Sequence, residues 1–377
     1  MFGFFYKTFL KPVLFLFDAE SVHEAFLNLG EFFGRSRFLK QLIRKAFAFR
    51  SEALGQQISG IKFENPVGLA AGFDYQAKLT QILPSLGFGF ETIGTITNQK
   101  CQGNSKPRLG RLPKSKSLMV NKGFKNPGVD SVIKKLSSLG FVFPLGISIG
   151  VTNSEKIETL EQAIQDVVAG FEKFLNSPVK NSYYELNISC PNLKTKINFY
   201  NSENLNALLL ALSELKIQKP VFVKMPISNT DKEILAMLEV LKNFSLIKGV
   251  IFGNLQKNRA DPALNQAELK KFSTGNFSGK PTEKRSNELI ALAYKNYQGR
   301  FIIIGCGGVF SAEGAYKKIK LGANLVQLIT GLVFQGPQLV SGINRDLVKL
   351  LKRDGFENFS QAIGAESSEL GNGKKEL

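Results

Sequence analysis

An α/β fold, a (β/α)8 TIM barrel with a short N-terminal helical extension, is predicted by three features of this 377-residue chain. From about residue 64, eight short runs of strand composition alternate with segments patterned as helices. Glycines cluster just after those runs, at Gly72, Gly94, Gly150, Gly253 and Gly307-Gly308, where such barrels carry their chemistry. The length suits one barrel domain, and 43% apolar residues can fill a large core. The expected layout is a helical extension over 1–50, the barrel over 51–355 and a polar, disordered tail over 356–377.

The extension holds 12 of the 32 phenylalanines, set among lysines and arginines. Phe26, Leu29 and Phe33, then Phe38 and Leu42, stand near helical spacing, with Asp18 or Ser21 as a cap. Two such helices have the composition of a pair lying in a membrane interface. Packing onto the chain's own barrel is the competing reading. Lys7 and Lys11 interrupt the opening stretch too much for a signal peptide, and no run of 18 apolar residues could span a bilayer. The strand candidates follow in order: Val67–Ala71, Phe90–Ile96, Leu145–Ile149, Tyr183–Asn187, Val221–Met225, Gly249–Phe252, Phe301–Gly305 and Asn324–Ile329. Helical patterning lies between them at Ile157–Leu175, Glu203–Leu215, Lys232–Leu241 and Ser311–Ile319. No internal repeat is present, and no GxGxxG marks a Rossmann site.

Composition excludes several chemistries. His23 is the one histidine, so Ser-His-Asp triads and sites with two imidazole ligands are ruled out. Cys101, Cys190 and Cys306 form no CxxC pair, which suits a reducing compartment. A net charge of +18 calls for an anionic partner: nucleic acid, lipid or a small anion. Between Asn98 and Lys125 stand Lys100, Lys106, Arg108, Arg111, Lys114, Lys116, Lys122 and Lys125 with no acid among them. A solvated loop is the bland alternative for that run.

Four motifs carry chemistry. Gly305-Cys306-Gly307-Gly308 after the seventh strand lets backbone N–H groups approach a phosphate, and Thr330-Gly331 after the eighth offers a second such turn. Lys224 ends the apolar fifth strand, where a buried cation needs an anionic partner. Asn121, Asn126, Asn187, Asn192 and Asn254 fall in loops after strands and would suit a flat, imide-containing ligand, although each alone is equally a turn residue. Cys190, within Asn187-Ile188-Ser189-Cys190-Pro191-Asn192, is a candidate proton-transfer group in a chain with almost no histidine.

These motifs, with Ala70-Ala71-Gly72-Phe73-Asp74, Ile93-Gly94-Thr95, the run Lys106–Leu112 and Asn121-Lys122-Gly123-Phe124, resemble dihydroorotate dehydrogenase. Asp18–Glu24 resembles the two-helix extension of its class 2 form, which is membrane-associated and uses a quinone. The resemblance implies FMN as cofactor and oxidation of (S)-dihydroorotate to orotate in pyrimidine (UMP) synthesis. It implies a peripheral protein on the cytoplasmic face of the cell membrane, with an anionic membrane surface and no nucleic acid as partner. Carried over residue by residue, Ala71, Gly72, Thr95, Asn187, Lys224, Gly279, Gly308 and Thr330 would touch FMN. Asn121, Gly123, Phe124, Asn187, Asn192 and Asn254 would hold the substrate, and Arg111 with the aromatic helices would line the quinone path. Cys190 would take the C5 proton as hydride leaves C6 for the flavin. An ordinary thiol titrates near ~8.5, so its thiolate is about 3% at pH 7.

The chain departs from the class 2 pattern at four positions. Cys190 stands where class 2 usually has serine, Tyr75 replaces the lysine that normally follows Gly-x-Asp, Ser148 replaces an asparagine and Gly253 a threonine. Lys78, three residues beyond Tyr75, is a possible substitute for the missing charge. The rival readings are a soluble class 1-like enzyme using fumarate or NAD, a tRNA dihydrouridine synthase-like flavoenzyme, and a flavin-binding protein without activity.

Overall fold

The computed structural model describes residues 2–194 and 197–367. Eight parallel strands close into a barrel: β1 (Val67–Leu69), β2 (Phe90–Ile96), β3 (Leu145–Ile149), β4 (Tyr183–Asn187), β5 (Val221–Met225), β6 (Ile247–Phe252), β7 (Ile302–Cys306) and β8 (Leu325–Leu328). Each strand pairs with the next in sequence, and β8 returns to β1. Residues such as Val221, Phe222 and Val223 are buried on both faces, which explains why the strands read as continuous apolar runs. Where an expected strand ran longer, as at Ala70-Ala71, the chain has already turned into a loop at the barrel mouth.

Several of the helices between strands begin at side-chain caps, whereas Val129–Leu136 and Glu283–Tyr297 begin without one. Thr159 and Thr230 form capping boxes with Gln162 and Glu233, and Ser311 caps the helix after β7. A hairpin, Gln56–Ile58 with Ile61–Phe63, closes the floor of the barrel by packing Phe63 edge-on against Phe90. Within the barrel, Gln327 Nε2 donates to Thr92 Oγ1 at 2.9 Å, and Thr92 Oγ1 lies 2.7 Å from the Tyr183 hydroxyl.

The basic run is a solvated loop only in part: Lys100, Lys106, Lys114 and Lys116 are exposed, but a sheet forms within it. Leu109–Leu112 pairs antiparallel with Ser117–Val120, and Asn276–Phe277 adds a third strand, making a small sheet beside the barrel mouth. The expected disordered tail is corrected over its first part. Phe359–Ala362 is a helix whose Phe359 is buried, and Glu366 pairs with Lys317 at 2.7 Å. The remainder, 368–377, lies outside the described residues.

The extension is more helical than its spacing implied: α1 spans 2–16, α2 is Ala19–Arg35 and α3 is Arg37–Phe47. Asp18 Oδ1 caps α2 through Ser21 N at 2.8 Å, and Ser36 caps α3. The packing reading holds for one face of this segment, and the other face is left uncovered. Leu27 is fully buried against the barrel, while Phe32 and Phe38 remain 62% and 72% exposed. Leu27→Ala is expected to cost about 2–5 kcal/mol of docking and packing. Faster proteolysis within 1–50 and a lower unfolding midpoint would register that loss.

Candidate active site

At the mouth of the barrel the strand ends converge on a cavity of about 470 Å³. Its polar end holds Ala71, Gly72, Thr95, Gly123, Phe124, Asn187, Cys190, Asn192, Lys224 and Asn254. Its apolar end runs under α2 and α3, past Phe26, Leu29 and Phe33. Arg111 lines it too, with Nη1 donating to the Phe17 carbonyl at 2.6 Å and the guanidinium 4.8 Å from the Phe15 ring centre. A smaller cleft of about 90 Å³ shares Ala71, Lys224 and Asn254 and ends at Gly279, Gly308 and Thr330.

The carboxamides are fixed by a hydrogen-bonded chain across the mouth. Asn187 Nδ2 donates to Thr95 Oγ1 at 2.7 Å, Thr95 Oγ1 lies 2.9 Å from Ser148 Oγ, and Ser148 donates to Glu185. Asn187 Oδ1 accepts from Ser189 N and Oγ, and Asn254 Nδ2 donates to the Ser189 carbonyl at 2.9 Å. Asn192 is held between the Val120 carbonyl and Asn276 Nδ2. With the rotamers locked, these groups present a set of donors and acceptors without net charge. Asn126 is not available for a ligand: both ends of its amide bond the loop at Thr97, Phe124 and Gly128. Asn121 also departs from expectation. It accepts from Asn104 Nδ2 at 2.9 Å and is not among the residues that line the cavity.

Backbone geometry accounts for one departure from the family pattern. Gly253 sits at φ +141°, and a Cβ there would lie 2.0 Å from the Cys306 carbonyl oxygen, so a threonine does not fit. Gly308, at φ +73°, would place a Cβ 2.3 Å from Glu283 Cβ. That turn lines the 90 Å³ cleft, the place in the barrel where a phosphate cradle is expected. Lys224, across the β4–β5 pair from Asn187, is 5% exposed and makes no hydrogen bond or ion pair among the described residues. An anionic, phosphate-bearing, planar cofactor fits this donor set: unpartnered buried cation, glycine turns and a flat mouth lined by carboxamides.

Cys190 differs from an ordinary thiol. Burial pushes it up to about 12, against the opposing charges of Lys224 and Lys257. The thiolate is therefore scarcer at neutral pH than an unperturbed cysteine would supply.

Acids from α2 meet the basic run. Arg108 Nε lies 3.0 Å from Glu20, and Lys125 Nζ lies 3.1 Å from both Glu20 and Glu24. Burial raises Glu20 and Glu24, but these hydrogen-bonded cations more than offset it and hold both below the usual range. Tyr75 donates its hydroxyl to Glu24, and His23 stacks against Phe73. Burial, aided by Lys122, drives His23 down to about 3, so it is a neutral imidazole. Sequence reasoning missed this cluster because its members lie about a hundred positions apart. Lys122 was visible only as one basic residue among eight and as a member of the Asn121–Phe124 motif, with no role of its own.

Comparison with known proteins agrees with this geometry. The family model described as dihydroorotate dehydrogenase matches residues 53–351. The dihydroorotate dehydrogenase (quinone) of Trichodesmium erythraeum is 34% identical over 95% of this chain and 98% of its own. That of Helicobacter acinonychis is 35% identical over 95% and 99%. A crystal structure of ligand-free DHODH from Eimeria tenella, 26% identical, superposes with a TM-score of 0.76 over 87% of this chain and 97% of that one.

Proposed function

This chain belongs to the dihydroorotate dehydrogenase family, and we propose that it oxidises (S)-dihydroorotate to orotate for pyrimidine synthesis, passing the electrons to a quinone. The observation that carries this reading is one continuous cavity. It joins a thiol, a ring of oriented carboxamides and a buried lysine to an aromatic passage between the barrel and the helix pair. FMN is the cofactor we assign: Gly279, Gly308 and Thr330 would take its phosphate, and Ala71, Gly72, Thr95, Asn187 and Lys224 its ring system.

Bound there, the flavin supplies the two-electron acceptor that no side chain of the chain could provide. The protein does the rest. Asn187, Asn192 and Asn254 hold the dihydropyrimidine ring through its imide, and Gly123 and Phe124 close one side. Cys190 Sγ removes the C5 proton as thiolate and is left as the thiol. Lys224 balances the negative charge that accumulates on the cofactor side. The aromatic passage excludes water and admits an apolar acceptor to the edge of the site. Steady-state turnover with a ubiquinone analogue, fumarate or NAD as sole acceptor tests the assignment. The quinone should support turnover at least about tenfold faster than the others, and a preference for fumarate or NAD would point to the soluble class.

No helix among the described residues is long and apolar enough to cross a membrane. The bare face of α2 and α3, with Phe26, Phe32, Phe38 and Leu42 each at least 40% exposed, is an apolar patch flanked by cations. We assign it to peripheral attachment at an anionic bilayer, beside the mouth of the quinone passage. Phe32→Asp with Phe38→Asp should lower partition onto anionic vesicles at least about tenfold, since each buried phenylalanine contributes roughly 1.5–3 kcal/mol. Flavin reduction by dihydroorotate should be unchanged.

The charge has uses inside the fold. Of the eight cations between residues 98 and 125, Arg108 and Lys125 lock α2, Arg111 lines the passage and Lys122 is buried. The other four, Lys100, Lys106, Lys114 and Lys116, are exposed.

A further inference from the structure

Lys122 follows the strand Ser117–Val120 and turns inward, 8% exposed, onto the wall of the main cavity. Its Nζ lies 4.2 Å from the centre of the Tyr75 ring and 3.1 Å from His23 Nδ1. It pairs with no carboxylate among the described residues. The acids nearest to it are already engaged: Glu20 with Arg108 and Lys125, and Glu24 with Lys125 and the Tyr75 hydroxyl. An ammonium has three donors, and the protein supplies one acceptor and one aromatic face. A buried cation so poorly matched is costly until an anion reaches it.

We propose that Lys122 is the cation that receives the carboxylate of the dihydropyrimidine substrate, reaching the site over the ring of Tyr75. This assignment rests on the function argued above and adds a residue to it. The other cations near the mouth are placed for different work. Lys224 borders both the main cavity and the glycine-lined cleft, and so belongs to the cofactor side. Lys78, the closest cation in sequence to Tyr75, points away and donates to Asn28 Oδ1 at 2.6 Å. Arg111 sits at the aromatic end with Phe15 and Phe17. The carboxamides of the mouth bring no charge. Of the four cations that line the main cavity, Arg111, Lys122, Lys125 and Lys224, Lys122 is the one left for the substrate's carboxylate; Lys257 lines a separate cleft, over the Tyr200 ring.

Tyr75 then acts as a platform. Its ring supports the ammonium without neutralising it, and its hydroxyl is tied to Glu24. In the ligand-free protein burial pushes Lys122 down to about 7, with Glu20 and Glu24 opposing and Lys125 and Arg108 reinforcing the shift. His23 and Tyr75 face it as neutral groups. Arrival of a carboxylate restores the proton, so binding near pH 8 should take up close to one proton from solvent.

The test uses flavin-loaded, oxidised protein titrated with orotate and with uracil, the same ring without the carboxylate, read from the flavin absorbance. Lys122→Met should weaken orotate binding by roughly 10- to 100-fold, as expected for a hydrogen bond to a charged group, and uracil binding by less than about threefold. Adding Tyr75→Lys to Lys122→Met should restore most of the orotate affinity. Proton uptake on orotate binding should be present in the parent and absent in Lys122→Met. Equal losses for both ligands, or orotate binding untouched by Lys122→Met, would overturn the Lys122 assignment alone. A parent flavin spectrum that does not respond to orotate would overturn the functional reading with it.

Discussion

Replacing Cys190 with alanine should slow flavin reduction by dihydroorotate by roughly a hundred- to ten-thousand-fold, the range a general base contributes. Flavin content and orotate binding should survive, because Cys190 takes no part in the hydrogen-bonded chain that orients Asn187 and Asn254. The pH dependence follows from the thiol's surroundings. Burial raises it to about 12, so the reactive thiolate gains about tenfold per pH unit below that value. The parent's rate of flavin reduction should therefore climb from about pH 6 to 10 without a plateau. Rapid-mixing absorbance across that range checks it. Full activity in Cys190→Ala, or a flat profile in the parent, would remove Cys190 from the chemistry.

Lys224→Met should have two effects of opposite sense. Flavin affinity should fall by roughly 10- to 100-fold, since a charged hydrogen bond to the bound cofactor disappears. The flavin-free protein should unfold at the same temperature as the parent or higher. A buried ammonium that makes no hydrogen bond or ion pair among the described residues is a cost there, and methionine fills similar space without it. Fluorescence titration with FMN and thermal unfolding of both flavin-free proteins give the two readings. A variant that loses stability in proportion to its loss of flavin would mean that Lys224 supports the barrel rather than the cofactor.

The barrel was legible because its physics is local. A strand buried on both faces is largely apolar, and the runs Val221–Met225 and Leu145–Ile149 match the observed strands end to end, with Lys224 and Ser148 as their polar exceptions. Some helix starts were equally local, as where Thr159 and Thr230 cap theirs, whereas Val129–Leu136, Glu283–Tyr297 and Leu339–Arg353 begin without a side-chain cap and were not read from the sequence. The small sheet beside the mouth was not legible, since Leu109–Leu112 and Ser117–Val120 are only four residues each and are flanked by the cations that suggested a loop. Two of those cations, Arg108 and Lys125, are explained by Glu20 and Glu24, brought over the mouth by a helix about a hundred residues earlier.

The site divides the same way. Cys190, Asn187 and Lys224 stand at strand ends whose direction the barrel dictates, and they converge as expected. Asn121 and Asn126 sit in loops, where nothing in the sequence says whether a carboxamide faces a ligand or its own backbone. Both turned to the protein. Gly253 read as a departure and is instead a steric requirement of the neighbouring strand end. The missing lysine at position 75 read as a lost charge. The contact between Tyr75 and Lys122 shows a cation still present at that wall of the cavity.

The most direct measurement is anaerobic mixing of the flavin-loaded protein with dihydroorotate, followed through the visible absorbance of the flavin, where protein side chains do not absorb. Stoichiometric bleaching, reversed by a quinone and slowed at least a hundredfold in Cys190→Ala, is the outcome required. A flavin that stays oxidised with dihydroorotate in excess would contradict it.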